Sequence, residues 1–248
     1  KVPSIAANGD TVIYMYYGNP SASAGQNGDD TFIVFDDFSS DTKWSHYNTS
    51  ISDGVLNCSQ TGSDFSVLKY RSLSSMWNIV LECRWWSNDT DGPNAGWDFG
   101  IDTTTGGDAD GQISGNMYLM AAEANGLFKF YKHSGTTWTN WDDTSYTIPT
   151  GQWLRAKIEC ISGGTFKYYE NETLKASSTD GSPLSDDGGY LAIREWEGKV
   201  DWVLVRKYAS PEPSISSVGS EEGKYYSSGN YKSNVLDTGA DGTKIIEV

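Results

Sequence analysis

Hydrophobic residues along this chain recur at every second position, in short runs broken by Gly, Asn, Asp and Ser. The clearest runs cover 11–17, 32–35, 65–70, 78–86, 97–101, 117–122, 127–131, 154–161, 165–169, 190–196 and 200–205. A period of two places alternate side chains on opposite faces of a strand, so each run reads as a β-strand with one face towards a core. No stretch of ten or more residues carries an apolar stripe at helical spacing. Many short strands between turn residues predict an all-β protein, an antiparallel sandwich or jelly roll.

The pattern also marks where the body begins and ends. Residues 19–30 are small and polar, and 210–224 open with Pro211 and Pro213, which cannot donate to a sheet ladder. Both read as linkers and leave 31–209 as the compact body. Residues 1–18 hold one strong strand, from Thr11 to Tyr17, with large apolar or aromatic groups on both faces. Alone in water it exposes unpaired backbone groups as well as that surface. It is therefore expected to join a sheet: that of a preceding domain, of the C-terminal segment, or of another copy of the chain. The segment from Tyr225 to Val248 reads as the start of a following β-domain or as a pairing segment. The chain opens at Lys1 without an initiator Met or signal peptide, so an upstream piece is expected.

Composition narrows the function. The 248 residues carry 33 acidic and 18 basic side chains, a net charge of −15. That charge repels phosphate backbones, and no Lys/Arg run offsets it, so nucleic acid is not an expected partner. The 10 Trp, 15 Tyr and 8 Phe argue against disorder. No apolar stretch approaches the ~18 residues of a membrane span. Cys58, Cys83 and Cys160 lie in separate strand-like runs. Three are too few for a disulfide-rich scaffold or a cysteine zinc site. Alternation groups Cys83 with Ile79 and Leu81, and Cys160 with Ala156 and Ile158. Buried thiols are expected, with one disulfide as the alternative. Sequons at Asn48, Asn57, Asn88 and Asn171 point to an extracellular or cell-surface protein.

The run VPSIAANGDTVIYMYYGNP, from Val2 to Pro20, resembles the closing strand of a family of uncharacterised extracellular β-domains in bacterial and archaeal surface proteins. In such proteins the next domain is commonly concanavalin-like, of the laminin-G type. The body here resembles one, opening with FDDFSSDTKW and closing with GKVDWVLVRKY. The resemblance implies a concanavalin-like jelly roll with an extra N-terminal strand and a short C-terminal β extension. The same ends resemble laminarinase-like glycoside hydrolases, whose chemistry needs a Glu-x-Asp-x-x-Glu strand. No such run exists here, so the resemblance implies the fold and not that catalysis. In both families a closing-strand Asp meets the opening segment at a calcium, which implies Asp201 with Asp36 or Asp37 as metal ligands. The DADG loop at 108–111 fails as an EF-hand, because its first and twelfth positions would be Gly106 and Met117.

Candidate chemistry lies on the polar faces of strands. In 78–86, Val80, Glu82, Arg84 and Trp86 share the face opposite Ile79, Leu81, Cys83 and Trp85. In the next run Asp98, Gly100 and Asp102 oppose Trp97, Phe99 and Ile101. Were the two strands neighbours, Glu82, Arg84 and Asp98 would meet on one sheet face. In 190–196, Ala192, Arg194 and Trp196 oppose Leu191 and Ile193. Trp138 and Trp141 fall in TTWTNWDD, read as turn-rich. Sugars stack their C–H faces on such aromatics while Asp, Asn and Arg bond the hydroxyls. His46 and His133 have polar neighbours and no nucleophile-elbow motif, so both are expected at the surface. The sequence thus predicts a non-catalytic extracellular module of a larger surface protein, adhesive or binding a polysaccharide or glycoprotein glycan. A self-assembling structural subunit and a glycoside hydrolase are the alternatives.

Overall fold

A computed structural model describes residues 9, 11–13, 21, 27–59, 66–87, 96–102, 116–123, 125–186, 189–195 and 197–212. Two compact units emerge, one comprising Phe32–Arg206 and the other Lys1–Thr31 with Lys207–Val248. In the second, Thr11 and Val12 are not in a strand, Ile13 forms a β-bridge, and the rest of the expected strand, from Tyr14 to Tyr17, lies outside the described residues, as does Tyr225 to Val248. Where a strand-free linker is expected, Gly28–Thr31 form one helical turn. Asn27 caps it: its Oδ1 accepts the Asp30 N–H at 3.2 Å.

Phe32–Arg206 is the predicted all-β sandwich, built from two antiparallel sheets. One runs β13 (Thr173–Thr179), β12 (Thr165–Glu170), β11 (Trp153–Ile161), β6 (Ile79–Ser87), β15 (Glu197–Lys207), β4 (Val55–Ser59) and β3 (Thr49–Ser52). β1 (Val34–Asp36) also pairs with β15, at Val203–Val205, beyond the stretch that pairs with β4. The other sheet runs β10 (Thr137–Ser145), β9 (Leu127–Ser134), β8 (Met117–Glu123), β7 (Gly96–Asp102), β14 (Gly189–Glu195), β5 (Ser66–Leu73) and β2 (Trp44–Tyr47).

The inward faces interdigitate in one core. Leu81, Cys83 and Trp85 of β6 and Ile158 and Cys160 of β11 meet Tyr118, Met120 and Ala122 of β8 and Phe128 and Phe130 of β9. The Phe128 ring stacks on Tyr168 at 4.3 Å between centroids, joining the two layers. All three cysteines are buried and no disulfide joins them, in keeping with the expected buried thiols. Tight turns join neighbouring strands. The β3–β4 hairpin turns on Asp53–Gly54, both at positive φ, a pair that such two-residue turns favour. Gly164, between β11 and β12, has φ +85, and a Cβ there would lie 2.6 Å from the Asp180 carbonyl oxygen.

Alternation changes phase once in β15. Val200 is buried at an even position, whereas Val203 and Val205 are buried at odd ones. An extra residue in the strand accounts for the shift and lets Asp201 and Trp202 share the outer face.

Candidate functional site

β8 is buried on both faces. Its even residues enter the core, so Met117, Leu119, Ala121 and Glu123 line the outer face of the seven-stranded sheet. β9 does the same one strand over: Phe128 and Phe130 point inward, and Lys129, Tyr131 and His133 outward. Register then assembles a surface. His133 faces Met117 on one side and Trp138 of β10 on the other, while Tyr131 lies between Leu119 and Asn140.

Glu123 anchors one end of this surface. Its side chain is 7% exposed and accepts the Lys129 ammonium at 2.6 Å, the Asn125 amide at 2.7 Å and the Tyr131 hydroxyl at 2.8 Å. The bond to Glu123 holds Lys129 above the ordinary lysine range. Burial, aided by the same carboxylate, pushes the Tyr131 phenol up. Both therefore stay protonated donors at neutral pH. At the other end the His133 and Trp138 rings lie 4.8 Å apart, and Tyr131 meets Trp138 edge-on at 6.1 Å. Trp138 is 43% exposed, an aromatic platform held from below by two rings. An apolar floor, a rigid aromatic face and fixed donors together suit a ligand with both C–H faces and hydroxyls.

The predicted residues divide between two sheets. Asp98 and Arg194 are register partners on β7 and β14, in one row with Ala121, Lys129 and Asp143. They share this sheet with Trp138. Arg84, Trp86 and Glu82 are on β6 of the other sheet, so Glu82 and Arg84 do not meet Asp98: alternation assigns a face but not a sheet. Trp141 is no surface aromatic. Three residues on from the outward Trp138, it falls on the inner face and packs against Tyr118, Phe130 and Phe166 at a bulge between Asn140 and Asp142, its Nε1 donating to Ser178 Oγ at 3.1 Å. Trp196 and Asn88 lie outside the described residues. His133 is buried rather than superficial, and His46 sits on β2. TTWTNWDD is the start of an edge strand, not a turn. Sequence reasoning missed Glu123, Lys129, Tyr131 and His133, although the alternation in LFKFYKHS carries three of them.

Asp36 and Asp201 do not converge on an ion. Asp36 is paired with the core-facing Val203 and turns inward, accepting the Phe38 N–H and the Trp44 Nε1–H, each at 2.7 Å. Asp201 lies on the outer face in an ion pair with Arg84. Asp37 accepts the Ser39 N–H at 3.1 Å. Among the described residues no group of three His, Cys, Asp or Glu side chains is placed to hold a metal. Of the sequons, Asn171 is exposed on the β12–β13 turn, and the Asn57 amide donates to Ser52 and Val55.

Comparison with known proteins agrees on the fold. A family model described as a domain of unknown function, DUF2341, matches residues 1–47, which include the Val2 to Pro20 run. No curated protein matches the chain in sequence. Among solved structures, the Bacillus licheniformis β-glucanase superposes with TM-score 0.51 at 13% identity, over 70% of this chain and 97% of that one. The exoplasmic/lumenal domain of VIP36, in a Ca2+/Man3GlcNAc-bound form, gives TM-score 0.51 at 9% identity, over 67% and 86%. An endo-acting O-glycanase of the human gut microbiota gives 0.50 at 12%, over 72% and 100%. At these identities the likeness is one of fold: the Phe32–Arg206 unit is a jelly-roll sandwich.

Proposed function

We propose that this chain is a non-catalytic glycan-binding module of an extracellular surface protein, and that its ligand lies on the outer face of the seven-stranded sheet. The observation that carries the reading is Trp138, half exposed and braced by Tyr131 and His133 beside the donors Lys129 and Tyr131. A sugar ring would stack on the indole while its hydroxyls meet the Lys129 ammonium, which keeps N–H groups beyond its bond to Glu123, and the Tyr131 hydroxyl oxygen, which can still accept. The glycan in the VIP36 structure supports this class of ligand. The sequons support an extracellular setting. Both Glu123 oxygens are engaged by donors of this chain, which suits an orienting role better than nucleophilic or acid chemistry.

A glycan array probed with wild type and Trp138→Ala tests the reading. Loss of the stacking face should weaken binding about tenfold or more, with an unchanged melting temperature. A retained array profile would move the ligand elsewhere. Turnover of a β-glucan that Glu123→Gln abolishes would replace the binding module by a hydrolase.

A further inference from the structure

The outer face of the eight-stranded sheet is out of character with an acidic chain. Among the residues whose side chains are described, six cations gather there, Arg84, Arg155, Lys157, Lys167, Lys199 and Arg206, against four carboxylates, Glu82, Glu159, Glu172 and Asp201. Exposure differs among these charges. The Glu82 and Glu159 side chains are 3% and 5% exposed, whereas those of Arg84 and Arg155 are 43% and 48% exposed. Glu82 accepts Arg155 Nε at 3.0 Å and Arg206 Nε at 2.8 Å, with a further bond from Arg155. Buried Glu82 fixes the guanidinium planes; Arg84 and Arg155 reach solvent beside the exposed Glu172, while Lys157 and Arg206 stay down with the buried acids.

Tryptophans are interleaved with these cations. Trp86 and Trp153 are direct cross-strand partners on β6 and β11, and Trp202 joins them from β15. The Arg84 guanidinium lies 4.6 Å from the Trp153 ring centroid, the Lys199 ammonium 5.3 Å from that of Trp86, and Arg155 5.8 Å from that of Trp202. All three indoles are half-buried.

We infer that this face binds a second ligand, an anionic polysaccharide of uronic acid units. Such a ring offers an apolar C–H face to an indole and a planar carboxylate to a guanidinium, the two groups that alternate here. β11, β6 and β15 are interior strands, so a peptide finds no edge on which to add a strand. Their spacing of about 4.8 Å lays the aromatic and cationic groups in rows across the strands, along which an extended polymer can run. The surface is on the opposite side of the sandwich from Trp138, and the module would then hold a neutral glycan on one side and an acidic one on the other.

Calorimetry of the full chain with hexagalacturonate, and separately with neutral laminarihexaose, tests this. Binding of hexagalacturonate should fall about tenfold on Trp153→Ala and on Lys199→Glu, weaken with added NaCl, and survive Trp138→Ala. Lys199 is exposed, so its replacement leaves the fold intact even if Trp153→Ala does not. No hexagalacturonate binding at low salt, or binding that survives Lys199→Glu, overturns the inference whatever laminarihexaose does. A low-salt dimer seen by light scattering and dispersed by Lys199→Glu would assign the face to the acidic surface of a second copy, and that too overturns it.

Discussion

Glu82 and Glu123 occupy equivalent outward positions on the two sheets, and each is nearly buried beneath cations of its own chain. Their roles differ through what lies above them. Over Glu82 sit two guanidiniums, of Arg155 and Arg206, both bonded to it, so the carboxylate is structural. Replacing it by Ala leaves Arg155 and Arg206 repelling each other. Discounted for the exposure of Arg155, we expect a loss of about 2 kcal/mol in urea unfolding. A loss below about 0.5 kcal/mol would mean that the guanidiniums find water as good a partner. Glu123 instead orients Lys129 and Tyr131, which border the Trp138 platform. The tryptophans show how far single residues were legible. Trp138 and Trp141 look alike in sequence, yet three apart on one strand they face opposite sides, one outward and the other into the core. Reading TTWTNWDD as a turn hid that difference, and the bulge after Asn140 shifts the phase only beyond it.

At the scale of elements, interior strands such as β6, β9, β11 and β12 were readable because each buries one side of a regular alternation, and β8 because its run is apolar throughout. The edge strands β2, β3, β10 and β13 were not, since an edge is largely solvated and its polar residues resemble a turn. β10 illustrates the physics. It pairs with β9 alone, exposes most of its length, and carries Asp142 and Asp143 beside its bulge. Charge and a bulge on an edge discourage pairing with another chain. Replacing both aspartates by Val should leave the fold but produce concentration-dependent oligomers in light scattering, and a strictly monomeric double variant would show that the bulge alone protects the edge. Turns hold a second element-scale test. Gly164→Ala meets both a positive φ and the Asp180 carbonyl, whereas Gly135, at φ +65, has open space around its missing Cβ. We expect Gly164→Ala to cost roughly 2–4 kcal/mol and Gly135→Ala about 1 kcal/mol in chemical denaturation. Equal losses would place the cost in φ alone. What sequence could not supply is the sheet each strand joins, and that is why Arg84 and Trp86 were grouped with Asp98, Arg194 and Trp138, although two sheets separate them.

For the whole molecule, the groups that bind the two layers together also set its pH limits. On the acid side, burial alone would raise Asp180, but hydrogen bonds from Lys132, the Ser182 N–H and Tyr118 outweigh it and hold its carboxyl below the usual range. Asp37 is lowered too, chiefly by its hydrogen bonds with Ser39. A depressed carboxyl stabilises the fold above its unfolded pKa, and that contribution is lost as pH falls through the folded value. The alkaline side is more heavily loaded. Burial raises Tyr118, Tyr131, Tyr146 and Tyr168, and carboxylates add to the effect: Asp180 for Tyr118, Glu123 for Tyr131, and Glu170 for Tyr146 and Tyr168. Burial raises the Cys160 thiol as well. A raised acid contributes its full stability below its unfolded pKa and loses it as pH rises towards the folded one, because the unfolded chain releases its protons first. Four phenols acting together make the loss steep. We therefore expect stability to stay nearly level through neutral pH and to drop sharply from about pH 10 upwards, the unfolded tyrosine pKa. Phenolate absorbance should rise in two stages, exposed tyrosines titrating reversibly and the buried Tyr118, Tyr146 and Tyr168 appearing only with the cooperative loss of β-sheet circular dichroism. Tyr118→Phe, which removes the group that bridges Asp180 and the Leu184 N–H, should shift one tyrosine out of the second stage. A single smooth titration of all phenols while the circular dichroism remains native would show that the core opens locally to hydroxide, and that the two layers are not held as one cooperative unit.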